Sequence, residues 1–174
     1  MTVDAARAIL SLGADTIFKI EDVANAVGLA PTTIRNWLSR GHIDLVYTRF
    51  FGRGSRAYFA YYDVILIMIA AELSHLGIKP MDVRIVLSDI NAAVGNRIRE
   101  IAGVRSDRTQ KNFGRYIALY YTGDKKEPIR LYSLYSFDKM LPLSGLIDIA
   151  RIVIDSKTLA EKAIWLFSTL PRTE

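Results

Sequence analysis

The sequence predicts an α+β protein, helical through its first half and mixed in its last third. Apolar residues recur at helical spacing through Ile20, Val23, Ala24 and Val27, and again through Ile34, Trp37 and Leu38. Two aromatic-rich stretches, 45–59 and 116–135, have strand-forming character interrupted by turn residues. The chain has 174 residues, 51% of them apolar, enough to bury one sizeable domain or two small ones and to exclude disorder throughout.

Taken in order, residues 4–12 carry Ala5, Ala6, Ile9 and Leu10 and predict a short helix broken by Gly13 and Asp15. Residues 18–43 read as two short helices around a tight turn. Gly28 suits a left-handed helix end, and Pro31 suits the first position of a new helix, where its missing N–H costs nothing. Ile34, Trp37 and Leu38 share one face of that second helix. Thr32, Thr33, Arg35, Asn36 and Arg40 take the other, and Gly41 stops it.

That pairing is the pattern of a helix-turn-helix, in which the second helix enters a DNA major groove. The exposed residue types suit base and phosphate contacts: Arg to guanine, Asn to adenine, Thr to phosphates or bases. A plain helical hairpin with a solvated polar face is the bland alternative.

The following stretch favours the first reading. Leu45, Val46, Tyr47, Phe50 and Phe51 predict a strand, Gly52-Arg53-Gly54-Ser55 a turn, and Arg56 to Tyr58 a returning strand. A basic, aromatic hairpin beside a recognition helix is a wing. Arg49, Arg53 and Arg56 are its candidates for phosphate or minor-groove contacts, with Tyr58 bonding a phosphate or packing beneath.

Several of these motifs resemble one family. Phe18-x-Ile20-x-x-Val23-Ala24, Gly28-Leu29, Thr33-Ile34-Arg35-x-Trp37 and Gly41-x-Ile43 are similar to the MerR-family winged helix-turn-helix. So are Gly54-Ser55-Arg56-Ala57-Tyr58, Asp63-Val64, Leu76-Gly77-Ile78 and Met81-Asp82-Val83. The resemblance covers roughly the first half of the chain. Trp37 stands where that family more often has Tyr, Ser55 replaces the first Tyr of its wing motif, and Ala30 stands where it often has a capping Ser. The resemblance implies backing helices behind the DNA-binding unit, a long dimerising helix beyond them, and DNA bent or unwound by the bound dimer.

Residues 62–76 are strongly apolar, with Val64, Ile65, Ile67, Met68, Ala71 and Leu76 available for burial. Lys79-Pro80 opens another helix, whose Val83, Ile85, Val86, Ile90, Val94 and Ile98 fall on or near one stripe. Gly95 and Gly103 are expected to interrupt that stripe, which argues against a sustained coiled coil. Residues 104–115 turn polar and basic and read as a linker.

Beyond it, residues 116–121 are a strand candidate and 129–135 alternate like a second strand, making a hairpin around the loop 122–128. Residues 146–154 fit a strand or a helix. Thr158-Leu159-Ala160-Glu161 has capping-box spacing, and Leu159, Ala163, Leu166, Phe167 and Leu170 form one face of a last helix. The tyrosines 116, 120, 121, 132 and 135 suit a small packed sheet or an oligomer contact, with a ligand pocket as the weaker option.

The expected organisation is a winged helix-turn-helix DNA-binding domain over 1–103, a linker over 104–115, and a small α+β dimerisation or effector domain over 116–174. Net charge is +5 and the pI is near 9.5, which favours an anionic partner. Between Pro31 and Tyr62 five arginines face one acid, Asp44. The absence of Cys excludes disulfides, thiolate metal sites and thiol redox sensing, and His42 and His75 have no ligand-like companions. No metal or cofactor is expected, nor an enzyme, since no catalytic constellation is visible. The N-terminus lacks a signal pattern and the apolar run 64–71 is too short to span a bilayer, so a cytoplasmic location is expected.

The function these features predict is a sequence-specific transcriptional regulator, a homodimer on a pseudo-palindromic double-stranded DNA site. A small-molecule effector or RNA polymerase is a further partner option. The alternative is a phage- or plasmid-type architectural DNA-binding protein, such as an excisionase or a small terminase subunit.

Overall fold

A computed structural model of the protein describes residues 3–12, 16–45, 58–104, 115–121, 129–134 and 150–171. Their elements are, in order, α1 (Val3–Leu10), β1 (Ile17–Lys19), α2 (Ile20–Ala26), α3 (Pro31–Ser39), β2 (Tyr58–Ala60), α4 (Tyr61–His75) and α5 (Pro80–Ile101). There follow β3 (Tyr116–Tyr121), β4 (Ile129–Leu134), β5 (Ala150–Asp155) and α6 (Ser156–Thr169). The class is α+β, as the sequence predicts.

The most apolar stretch of the chain forms α4, and eleven of its fifteen residues are buried. A helix apolar all round belongs inside a protein rather than at its surface. It packs against α5 and touches β1, β2 and α6. Leu76, counted from sequence as available for burial, instead sits just past the end of α4 and is exposed, as is Ile85 on α5. The apolar stripe of α5 therefore omits Ile85 and takes in Leu87 and Ala93 beside Val83, Val86, Ile90, Val94 and Ile98.

The expected break at Gly95 does not occur: α5 runs unbroken for 22 residues. Glycine within a helix costs about 1 kcal/mol relative to alanine, too little to stop a helix fixed on three sides. Residues α1, α4 and α6 supply those sides. The helix ends at Ile101, Gly103 follows in the left-handed region at φ +73°, and Arg7 of α1 donates its Nε–H to the carbonyl of Ala102 at 3.1 Å. A cation there compensates the unpaired carbonyls of the last turn.

Two sheets flank the helices. β1 and β2 pair antiparallel, Ile17 with Ala60, Phe18 with Phe59 and Lys19 with Tyr58. Tyr58 to Ala60 is thus a strand, as expected, and its partner among the described residues is β1. Residues 46–57, where the sequence places the rest of the wing, lie outside the described residues. The second sheet has the order β4-β3-β5, antiparallel throughout. The predicted hairpin of β3 and β4 is present, Tyr116 opposite Leu134 and Tyr121 opposite Ile129. The ambiguous stretch resolves to strand over Ala150–Asp155.

The last helix starts differently from the sequence expectation. Its cap is Asp155, whose Oδ1 accepts the amide of Lys157 at 2.9 Å, not Thr158. The other carboxylate oxygen of Asp155 takes both Nε and Nη2 of Arg115, at 3.1 and 2.9 Å. Ser156, fully buried, donates its hydroxyl to the carbonyl of Arg115 at 2.7 Å and accepts from Arg97 Nε at 3.3 Å. Burial pushes the Asp155 carboxyl up, but the Arg115 guanidinium and the amides of Lys157 and Thr158 outweigh it, holding it below its usual value. This junction joins β3, β5, α5 and α6.

One apolar core runs from α1 to α6, and includes Phe18, Ile34, Ile67, Ile90, Ile117 and Phe167. The segments on either side of 104–115 contribute to it together. Residues 105–114 and the loop 122–128 lie outside the described residues. No described helix is long and apolar enough to cross a membrane.

Candidate nucleic-acid interface

The local sequence positions α3 by burying one side of it. Ile34 is fully buried and Trp37 nearly so, while Thr32, Arg35, Asn36, Ser39 and Arg40 are exposed and Thr33 is half-buried. Beneath it, α2 contributes Ile20, Val23 and Ala24 to the same core. Between the helices, Gly28 adopts φ +70°, and the amide of Leu29 bonds back to the carbonyl of Ala24 at 2.9 Å. This closing bond past a left-handed residue ends α2 and redirects the chain within two residues.

Pro31 opens α3, and Ala30 supplies no side-chain cap. The first-turn bond is Thr33 N–H to the Ala30 carbonyl, 2.9 Å.

Charge on this face is organised in pairs and singles. Arg35 Nη2 donates to Glu21 Oε1 on α2 at 3.0 Å, with both side chains 49% exposed. Asp44, the lone acid of the basic stretch, is held by Arg84 Nε of α5 at 2.7 Å. Arg40 has no carboxylate partner among the described residues. Neither has Lys79, which precedes α5.

Those two cations line the same groove. A cavity of about 400 Å³ lies between the exposed side of α3 and the turn joining α4 to α5. Asn36, Arg40 and His42 form one wall, and Ser74 and Lys79 the other. No carboxylate appears in its lining. Trp37, Ile78, Pro80 and Met81 also line it, so the groove combines apolar surface with two cations and with hydroxyl and amide groups that suit a phosphodiester backbone.

The structure thus brings Thr33, Asn36 and Arg40 to the groove, with Thr32 and Arg35 on the exposed side of the same helix. Tyr58 is half-buried at the start of β2, opposite Lys19. Arg49, Arg53 and Arg56 lie outside the described residues. Sequence reading overlooked Ser74, Lys79 and His42 as lining partners of Arg40, and Glu21 as the partner of Arg35. Lys79 immediately before a helix-opening Pro80 was the one local hint, a cation at a turn. The meeting with α3 is tertiary and has no sequence signature.

Elsewhere, Tyr116 is half-buried, with the Arg115 guanidinium 5.2 Å from its ring centre. The side chains of Tyr120, Tyr121 and Tyr132, and all of Tyr135, lie outside what is described. Among the described residues, no cluster of His, Asp and Glu could hold a metal ion. Compared with known proteins, the chain matches no family model and no curated protein.

Proposed function

We propose that the protein is a sequence-specific double-stranded DNA-binding transcriptional regulator that acts as a homodimer. The observation that carries this reading is the arrangement of α3. Its apolar side is buried through Ile34 and Trp37, its Thr32, Arg35 and Asn36 are exposed, and a carboxylate-free groove holding Arg40 and Lys79 runs alongside. In this reading α3 lies in the major groove, where Arg35 and Asn36 meet base edges. Arg40, His42, Ser74 and Lys79 grip the adjoining phosphates, and Arg49, Arg53 and Arg56 extend that grip as a wing.

The resemblance of residues 18–83 to the MerR family supports the same assignment. A single short recognition helix reads only a few base pairs, so two copies related by a two-fold axis are needed for a longer, pseudo-palindromic site.

The test is selection of bound duplexes from a random pool, followed by titration of the enriched sequence against salt. The expected result is an enriched site with two-fold symmetry and an affinity that falls steeply with salt. Failure to bind any duplex at low salt overturns the reading.

A further inference from the structure

The most informative contact on the exposed face of α3 is the one between Arg35 and Glu21. The carboxylate comes from α2, fourteen residues away in sequence. Glu21 accepts from Nη2 of the guanidinium, at 3.0 Å. Arginine has five N–H donors in a rigid plane, so a single such bond leaves a two-pronged edge available. The pair is half-exposed on both sides, so it lies where a partner of α3 would touch it.

Two consequences follow from elementary electrostatics. The pair has no net charge, so it does not attract phosphate as the unpaired Arg40 and Lys79 do. The guanidinium is also restrained, so less side-chain freedom is lost when its remaining donors meet two acceptors. Guanine presents two such acceptors, N7 and O6, in the major groove. A free arginine would bind any phosphate within reach, whereas a carboxylate-braced one has its charge offset and fewer orientations open to it.

We propose that Glu21 is a specificity-determining positioning residue, which braces Arg35 for a guanine edge and penalises phosphate at the same place. This rests on the DNA-binding reading above and adds to it which residue sets discrimination.

The experiment compares wild type, Glu21→Gln, Arg35→Ala and the double variant. Each is titrated against the selected duplex and a scrambled duplex of equal length at several salt concentrations. Folding is checked by far-UV circular dichroism. With Glu21→Gln, binding to the scrambled duplex is expected to tighten, with a salt slope steeper by about 0.9, one phosphate contact. The ratio of selected to scrambled affinity is expected to fall about two- to fivefold, the range of an exposed ion pair. In the Arg35→Ala background the Glu21→Gln effect on that ratio is expected to vanish, and Glu21→Asp in the wild-type background to recover part of it.

An unchanged ratio in Glu21→Gln, or an equal loss with and without Arg35, overturns the proposal while leaving DNA binding intact. Wild type that binds neither duplex overturns the functional reading itself, and this inference with it.

Discussion

The rings of Phe18 and Phe167 meet with centroids 5.4 Å apart and planes inclined by 58°. One belongs to β1, just ahead of the helices proposed to bind DNA, and the other to the last helix of the chain. Tyr61, at the start of α4, adds an edge contact to Phe167 at 6.5 Å. A tilted aromatic pair of this kind contributes about 0.5–1.5 kcal/mol beyond the area it buries. Through it, the two ends of the sequence rest on the same core.

Phe167→Ala should therefore destabilise the whole fold, by about 3–5 kcal/mol, the usual cost of removing a buried phenylalanine. Urea unfolding followed at Trp37, which is buried on α3, measures it in a Trp165→Phe background, where Trp37 is the sole tryptophan. The expected outcome is a single transition shifted to lower urea. Loss of α6 with the Trp37 signal unmoved would show that the last helix is dispensable to the N-terminal half.

Asp155 gives the fold a dependence on pH. Its folded value lies below the unfolded one, so its contribution is full above about pH 4, the ordinary aspartate value. It is lost as pH falls through the lower folded value. Asp155→Ala should cost about 0.5–2 kcal/mol at neutral pH, the range for loss of a helix cap. Urea melts of wild type and variant at pH 7 and pH 2.5 are expected to show the difference shrinking in acid. A difference that does not change with pH would mean the carboxylate's charge contributes nothing.

Two glycines should respond in opposite directions to the same substitution. Gly95 lies inside α5, and an added methyl group meets nothing within 4 Å. Gly95→Ala should stabilise by about 0.5–1 kcal/mol through helix propensity. Gly28 has equal room but a φ of +70°, so Gly28→Ala should cost about 1–2 kcal/mol in backbone strain alone. Thermal unfolding of both variants checks the contrast.

If the functional reading is right, two cations on the proposed interface differ in kind. Lys79→Ala should weaken binding to all duplexes alike and lower the salt slope by about 0.9, one phosphate contact. Arg35→Ala should cost about 1–3 kcal/mol on the selected site and relax preference at one base pair. Equal effects of the two on selected and scrambled duplexes would remove α3 from the role of reading bases.

Much of this arrangement could be read from the chain because local chemistry and burial agree there. Ile20, Val23, Ala24, Ile34 and Trp37 all sit where helical spacing places them, and Gly28 and Pro31 mark the turn between. The hairpin of β3 and β4 follows from strand-forming residues on either side of turn residues, whereas the apolar run that forms β5 fits a helix equally well. Other features escaped for identifiable reasons. β1 is three residues long, too short for a period of two to register. Gly95 looked like a breaker, although packing from three neighbouring helices exceeds its small penalty. Asp155 ends a strand and caps a helix at once, and the Thr158 pattern three residues on obscured it. Ile85 fits a helical stripe by arithmetic, but α5 presents it to solvent. Glu21 is remote in sequence from Arg35, as Ser74 and Lys79 are from Arg40, and neither proximity is encoded in local spacing.

The pairing of Ile17–Lys19 with Tyr58–Ala60 has one more consequence. The chain leaves this short sheet at Lys19 and returns beside the same point at Tyr58. The segment between, which carries α2 and α3 into the common core, is thus pinned at both of its ends. Because the two ends of that segment are held side by side, a change in its length adds little closure cost and leaves the strand pairing at its base in place.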